Sequence, residues 1–376
     1  MNNKTYFNIV HAADTSGCGF YRMKTPYMAL QNVNKNIFVA DSPKMIPLPE
    51  FYNDVRHVRV QRQCSTAQVD FVEKFLMPLS NTRGFWVSFE IDDIIIPDYI
   101  PAYNLGRDAY LAPGISDNIK RVMSVVDFIT VTTDELAKTY SAYYNIPLNK
   151  FKVIPNYLPR WWVGNNFNIK LIEEKYDKQV KSKFKIVFAG STSHFDIKNR
   201  NNGVDDYTHI IPFILKNYKK YEFVFIGGFP QQIKHLIETK EITFITGFDL
   251  WNYPQHLNRL DASLFIAPLQ DNMFNRNKSN IKLLESWALG VPVLTQNITT
   301  YSQYTDMTFE DHNDIEQKVI NLLYNKNRYL KTCKDNYDII ENGDVNAKNG
   351  WWLENNLQDY TTLFTMSQKS LEININ

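Results

Sequence analysis

FNRNKSNIKLLESWALGVPV, Phe274 to Val293, decides how the chain is read. At 100° per residue, Ile281, Leu284 and Ala288 fall on one helical face, and Leu283 and Trp287 widen it. Gly290 is the expected stop, and Pro292 prevents continuation into the buried strand VPVLTQ. The polar stripe is less ordinary. Lys278, Lys282 and Glu285 stand at i, i+4 and i+7, so the helix opens with two cations where its dipole disfavours them. An anion in front of the helix resolves the conflict. A nucleotide diphosphate fits, because lysines and free N–H groups hold phosphates and a carboxylate about one turn further on accepts both ribose hydroxyls. The other reading is a solvated face with an i,i+4 lysine pair and an ordinary Lys282–Glu285 contact. The stretch alone does not choose between them.

Upstream of this helix, strands alternate with helices. YFNIVHAA, NIFVA, VRHVRVQR, FWVSFEI, FITVTT and FKVIPNY are short β-branched or aromatic runs, which suits strands buried on both faces. KTPYMALQNV, AQVDFVEKFLMPL, SDNIKRVMSVV and TDELAKTYSAYY have helical spacing. Residues 168–185 are charged and poor in core residues, a linker or an exposed helix. A second alternation follows, with strands KIVFAGS, YEFVFIGG, EITFITGF and ASLFIAPL, and helices YTHIIPFILKNYKK, QQIKHLIETK and YPQHLNRL. DIEQKVINLLY, NRYLKTCKDNYDII and GWWLENNLQDYTTLF are expected as closing helices. The pattern predicts α/β architecture: two Rossmann-like doubly wound domains facing each other across a cleft, with the ligand at the C-terminal ends of the strands. The expected bounds are 1–167, 168–345 and a final helix, 346–376, crossing back to the first domain.

A length of 376 residues suits two domains. With 41 basic and 40 acidic residues, no global charge draws the chain to nucleic acid or membrane, although a local basic groove stays open. Cys18, Cys64 and Cys333 are scattered, with neither metal-ligand spacing nor an even disulfide set. No signal peptide and no run of about 18 apolar residues is found. A cytoplasmic location is the expectation, in the host if the gene is a phage's. The oligomeric state is not legible.

The opening stretch, preceded by APLQDN, resembles the donor-binding signature of GT-B glycosyltransferases of the family 4-like (group 1) type found in bacteria and bacteriophages. FAGSTSHFD (188–196), FIGGFP (225–230), FEIDDII (89–95), VDFITVTTDELA (126–137) and VIPNYL (153–158) fit the same pattern in the expected order. The resemblance implies that the C-terminal domain binds a nucleotide-diphosphate sugar, UDP-type, as co-substrate. Glu285 matches the ribose-gripping position, and Lys278 and Lys282, with Ser279 between them, lie where diphosphate contacts are expected. The loop 271–275, with Asn275, matches the one whose amides reach the sugar. Gly190, Ser191 and Thr192 match the turn beside the diphosphate, and His194 stands next to it. Gly227 and Gly228 match the nucleobase turn; a plain strand-end turn is the alternative. The loop of Gly17 and Gly19 resembles the one approaching the donor phosphates, with Arg22 either adding a charge or lying at the surface.

Two departures stand out. The family commonly carries two glutamates eight positions apart on this helix region, and the earlier one is Asn277 here. Many relatives have an Arg and a Lys after the first strand of this domain, where this chain offers only His194 and Lys198. On the acceptor side, Asp92–Asp93 follow an apolar strand, and buried carboxylates need a task or partners. One of them either orients the acceptor or assists proton removal; the alternative is helix capping or loop hydrogen bonding. The pair lacks the spaced Asp-x-Asp pattern, so no metal is expected. His11 is expected to be packed, and the Trp161–Trp162 and Trp351–Trp352 pairs to pack at the hinge. The resemblance implies retaining transfer, with Lys278 and Lys282 stabilising the leaving diphosphate. The acceptors it implies are hydroxymethylated cytosine in phage DNA, for which Arg56, Arg59 and Arg62 are candidate groove cations, or a polysaccharide or protein glycan. A nucleotide-sugar-binding module without transfer activity and an epimerase of the same fold are the alternatives.

Overall fold

The computed structural model describes residues 5–163 and 167–369. The β-branched and aromatic runs form two all-parallel sheets of six strands each. The first holds β1 (Tyr6–His11), β2 (Ile37–Asp41), β3 (Val55–Gln61), β4 (Trp86–Glu90), β5 (Phe128–Val131) and β6 (Phe151–Val153), in the order β2-β1-β3-β4-β5-β6. The second holds β7 (Lys185–Ala189), β8 (Glu222–Ile226), β9 (Thr243–Ile245), β10 (Leu264–Ala267), β11 (Val293–Gln296) and β12 (Thr308–Phe309), in the order β12-β11-β10-β7-β8-β9. In the second sheet the chain winds one way from β7 to β9, then returns to start again beside β7 with β10. The crevice beyond the strand ends at such a reversal is where doubly wound sheets bind ligands.

Each sheet is covered on both faces, which is why its strands read as near-continuous apolar runs. β3 is the exception in composition but not in burial: His57, Arg59 and Gln61 are all buried. A third apolar cluster joins the halves, running from Val10 and Leu30 through Trp162 to Trp287 and Trp352.

The chain returns to the first sheet at its end. Leu158 N–H donates to Trp351 O (3.0 Å) and Leu353 N–H to Leu158 O (2.7 Å). The helix Leu357–Phe364 then packs on the helix α1 (Thr25–Val33) and on β3. This last helix is shorter than GWWLENNLQDYTTLF suggested. Trp351 and Trp352 sit in extended backbone before it, buried, with Trp352 Nε1–H on Glu341 (2.8 Å). Of the other tryptophan pair, Trp162 is buried and Trp161 is exposed. Residues 169–179 form the exposed helix, anchored by buried Tyr176. Among the described residues, no helix is long and apolar enough to cross a membrane.

Candidate active site

The two sets of strand ends face each other across a cavity of about 820 Å³. Its first half comes from the turn after β1, with Gly17, and from Asp92 and Asp93 after β4. Its second half comes from Gly190, Ser191 and His194 after β7, Gly227 after β8, and Lys278, Ser279, Lys282 and Glu285.

The lysines reach this place differently from the sequence expectation. The helix α2 spans Ile281–Ala288, with Asn280 at its N-cap, so Lys278 precedes the helix. A separate short helix, Met273–Arg276, is capped by Asn272, whose Oδ1 accepts the Asn275 N–H (2.9 Å). The turn between them is pinned by Thr300, whose hydroxyl donates to Lys278 O (3.0 Å). The Asn272 cap and this pinned turn thus divide what periodicity read as one helix. Both ammonium groups nevertheless face the cavity.

Lys278 Nζ lies 3.6 Å from Asp93 Oδ2, across the cleft, and over the Phe274 ring at 4.5 Å. Asp93 Oδ1 accepts its neighbour Ile94 N–H (3.0 Å), so the capping role holds as well. Asp92 is committed elsewhere: Arg62 Nε–H donates to its Oδ1 (2.8 Å). Lys282 Nζ donates to Glu285 Oε2 (2.8 Å), and Tyr21, from the opposite half, donates to Oε1 (3.0 Å). Trp162 Nε1–H in turn donates to the Tyr21 hydroxyl (3.2 Å). Burial opposes the Lys282 charge, but Glu285 outweighs it and raises the pKa. Burial pushes the Tyr21 phenol up, and Glu285 adds to this. The Cys18 thiol, also in the cavity wall, is raised by burial and then by Asp92, so it offers no thiolate at neutral pH.

Several of the residues singled out from sequence are not among the cavity walls. Gly19 packs against Asp14, whose carbonyl oxygen lies 2.0 Å from where a Cβ would stand. Thr192 is exposed. Asn275 and Asn277 are fully buried behind the wall. Asn275 binds Asp206 and Gln270 O, and Asn277 donates to Met273 O (2.7 Å), so both brace the loop. Asn277 therefore does not stand in for the missing carboxylate at the cavity surface. Gly228 abuts the Phe195 ring. Arg22 is not a surface residue either. It is fully buried and paired with Glu90 (2.6 Å). His11 is packed as expected, its Nδ1–H on Ser42 O (2.8 Å).

Several wall residues carried no sequence signal. Tyr21, Asn156, Tyr253 and Tyr301 line the cavity, with Trp251 at the second half's loop after β9. Trp251 stacks on Trp161 (5.6 Å between centroids), and both meet Phe20 edge-on. An isolated Tyr or Asn in a loop has no spacing to mark it. Among the described residues, no three His, Cys, Asp or Glu side chains come together as a metal site.

Gly227 has φ +86°, and a Cβ there would stand 2.3 Å from Gly190 O, so the turns after β7 and β8 touch through it. Gly227→Ala is expected to destabilise the second domain by about 1–3 kcal/mol, read from urea unfolding. Gly17→Ala, with nothing within 4 Å of its Cβ, should be close to neutral.

Residues 183–325 match the family model described as glycosyl transferases group 1. This second half of the chain is a group 1 glycosyltransferase domain. The chain as a whole shares its fold, GT-B, with solved structures of low identity. A glycosyltransferase from Rickettsia africae ESF-5 superimposes with TM-score 0.62 at 12% identity, covering 97% of this chain and 100% of that one. HepE of Anabaena, solved in complex with UDP, gives 0.61 at 10%, covering 96% and 100%. WaaG, a glycosyltransferase involved in lipopolysaccharide biosynthesis, gives 0.54 at 12%, covering 96% and 100%. No curated protein sequence matches the chain.

Proposed function

We propose that the enzyme moves a sugar from a UDP-type donor to a hydroxyl of a glycan, with retention at the anomeric carbon. The observation that carries this reading is the placement of Lys278 and Lys282 beside the Gly190 and Gly227 turns, at the strand ends of a cavity large enough for a nucleotide sugar. HepE, of like fold, is described in complex with UDP-glucose, which supports the donor class. In the step itself the bond from the anomeric carbon to the diphosphate oxygen breaks. A bond to the acceptor oxygen forms on the same face, and the acceptor proton passes to the leaving diphosphate. Lys278 and Lys282 stabilise the charge that develops on that diphosphate. Asp93, facing the cavity from the first half, is the better placed of the two carboxylates to orient the acceptor. The domain bounds 1–167, 168–345 and 346–376 go with this reading.

A glycan is favoured over DNA because two of the three candidate groove cations, Arg59 and Arg62, are spent, which leaves Arg56 alone. Arg59 is buried on Glu90 and Arg62 is paired with Asp92, while Lys24 lies 3.7 Å from Asp41. Duplex binding needs free cations that displace counterions.

The test is calorimetry with UDP and UDP-glucose, followed by mass spectrometry of glycan and hydroxymethylated duplex acceptors after incubation. Binding of UDP and a mass increase on a glycan are expected. A modified duplex as the only labelled product would overturn the acceptor choice. A donor that is bound but never consumed would point to a binding module.

A further inference from the structure

Beneath the second half of the cavity lies a buried group that the transfer step above does not use. Asp206, 1% exposed, accepts three hydrogen bonds on Oδ1: from the Tyr103 hydroxyl (2.6 Å), the Gln270 backbone N–H (2.9 Å) and the Asn275 amide (2.7 Å). Its other oxygen, Oδ2, faces His194 Nδ1 at 2.7 Å. Tyr103 receives the amides of Asn272 and Asn275 (3.2 Å each), so its own proton is directed to Asp206. The His194 ring lies against Gly190, where a Cβ would stand 3.3 Å from ring Cδ2. It lines the cavity, and its Nε2 makes no hydrogen bond to a described residue.

We propose that Asp206 is a positioning residue for the donor site. It holds Nδ1–H of His194 inward, so that Nε2 is the atom offered to the bound diphosphate, and through Tyr103 it makes that geometry depend on the two halves being closed. The proposal rests on the donor-site reading for the identity of the ligand, but not for the arrangement of the ring.

The charged groups around the ring are Asp206 behind it and Lys278 and Lys282 toward the cavity. Burial, then Lys278, push the imidazole below its ordinary value, while Asp206 opposes them. In the empty cleft the ring is neutral near pH 7 and Nε2 carries a lone pair. A diphosphate offsets the lysine field and favours protonation at Nε2. The ring takes one proton from solvent and donates it as a hydrogen bond to a phosphate oxygen, with Nδ1–H still on Asp206. No covalent bond to carbon changes. This third cation would join Lys278 and Lys282 around the diphosphate. Affinity should therefore be highest below the free-state midpoint of His194, fall as pH rises to the bound-state midpoint, and level off above it.

The test is long-range ¹H–¹⁵N spectroscopy of the histidine rings, with His194→Gln for assignment. In the free protein His194 should show the Nδ1–H tautomer, titrating below about 6.5. UDP-glucose, whose phosphates keep a fixed charge across this range, should raise the midpoint by about one pH unit or more. Asp206→Asn should invert the tautomer. The amide oxygen must stay with the Gln270 N–H, so the amide NH₂ faces Nδ1 and the ring proton moves to Nε2. Proton uptake on binding should then vanish. Tyr103→Phe, which preserves the packing, should raise the free-state midpoint by about half a pH unit, because Asp206 loses a donor. A wild-type ring in the Nε2–H form, or an unchanged tautomer in Asp206→Asn, overturns the inference. Should Asp206→Asn not fold, an unchanged midpoint in Tyr103→Phe overturns it instead. No binding of UDP-glucose overturns the donor reading. Binding with an unmoved His194 midpoint overturns the inference and leaves that reading standing.

Discussion

Lys278→Ala is expected to slow UDP release from UDP-glucose by about 100- to 1,000-fold in kcat, the loss typical of removing one preorganised donor at a developing oxyanion. Little of this should come from misfolding. Lys278 precedes α2 rather than forming part of it, and its turn is held by Thr300 through the backbone, so removing the side chain leaves those bonds in place. Part of the loss belongs to the partner. With the ammonium gone, Asp93 faces the diphosphate without a counterion, and like charges in a half-enclosed cleft repel. The double variant Lys278→Ala/Asp93→Asn should therefore recover about tenfold in donor affinity relative to Lys278→Ala, while kcat stays low. Steady-state kinetics of the three variants separate the two effects. An unchanged kcat in Lys278→Ala would remove this lysine from the chemistry.

Lys282 gives a less clean answer. Its ammonium partners Glu285, only 5% exposed, and removing it leaves that carboxylate without a cation, beside the Tyr21 and Tyr253 phenols. A buried charge stripped of its counterion is costly to the fold. Loss of activity in that variant would mix phosphate binding with a disturbed α2. The same contact bears on Glu285 itself: to take ribose hydroxyls it must share oxygens now held by Lys282 and Tyr21.

How far the sequence could be read follows from the range of each interaction. The parallel sheets were legible because β5 (FITV) and β7 (KIVFA) carry their burial in consecutive residues. The second half of the cavity was legible because Lys278, Lys282 and Glu285 lie within one turn-and-helix unit. Misreadings fell where a cap or a distant partner decides. The Asn272 cap and the Thr300 bond to Lys278 O broke one periodic run into two helices, since such side-chain bonds can overrule spacing. Asn277 sits at the motif position yet points into the loop, because Met273 O needs a donor there. Tyr21–Glu285 spans the two domains, and Tyr103–Asp206 joins strand-end loops about one hundred residues apart. Neither has a periodic mark. Arg22, with a surface position as one of its two readings, is instead buried at the cavity wall on Glu90, because the sheet register sets Glu90 of β4 and Arg59 of β3 on one face, which sequence does not print.

That buried triad carries the largest stability effect expected in the molecule. Glu90 accepts from Arg22 Nε (2.6 Å) on one oxygen, and from Arg59 and Thr130 on the other, all at 0% exposure. Burial alone would raise its pKa, but the two guanidiniums hold it below the ordinary value. Glu90→Gln keeps the shape and removes the charge. Its amide must then point donors at one of the guanidiniums, leaving two cations in the core with no anion. A cost of about 3–5 kcal/mol is expected, measured by urea unfolding and by loss of amide protection in β3 and β4. A change below about 1 kcal/mol would show that the triad is not a net anchor. Replacing all three by apolar residues (Arg22→Met, Arg59→Leu and Glu90→Leu) should cost less than Glu90→Gln, because no unpaired charge remains. It should nevertheless abolish turnover. Arg22 Nη1 also binds Ile154 O (2.7 Å) and Asn156 Oδ1 (3.2 Å), and Asn156 donates to Ser279 Oγ (2.8 Å). Through Ser279 the charge cluster sets the turn that carries Lys278. A triple variant that is stable yet inactive would separate what the cluster contributes to the fold from what it contributes to the cleft.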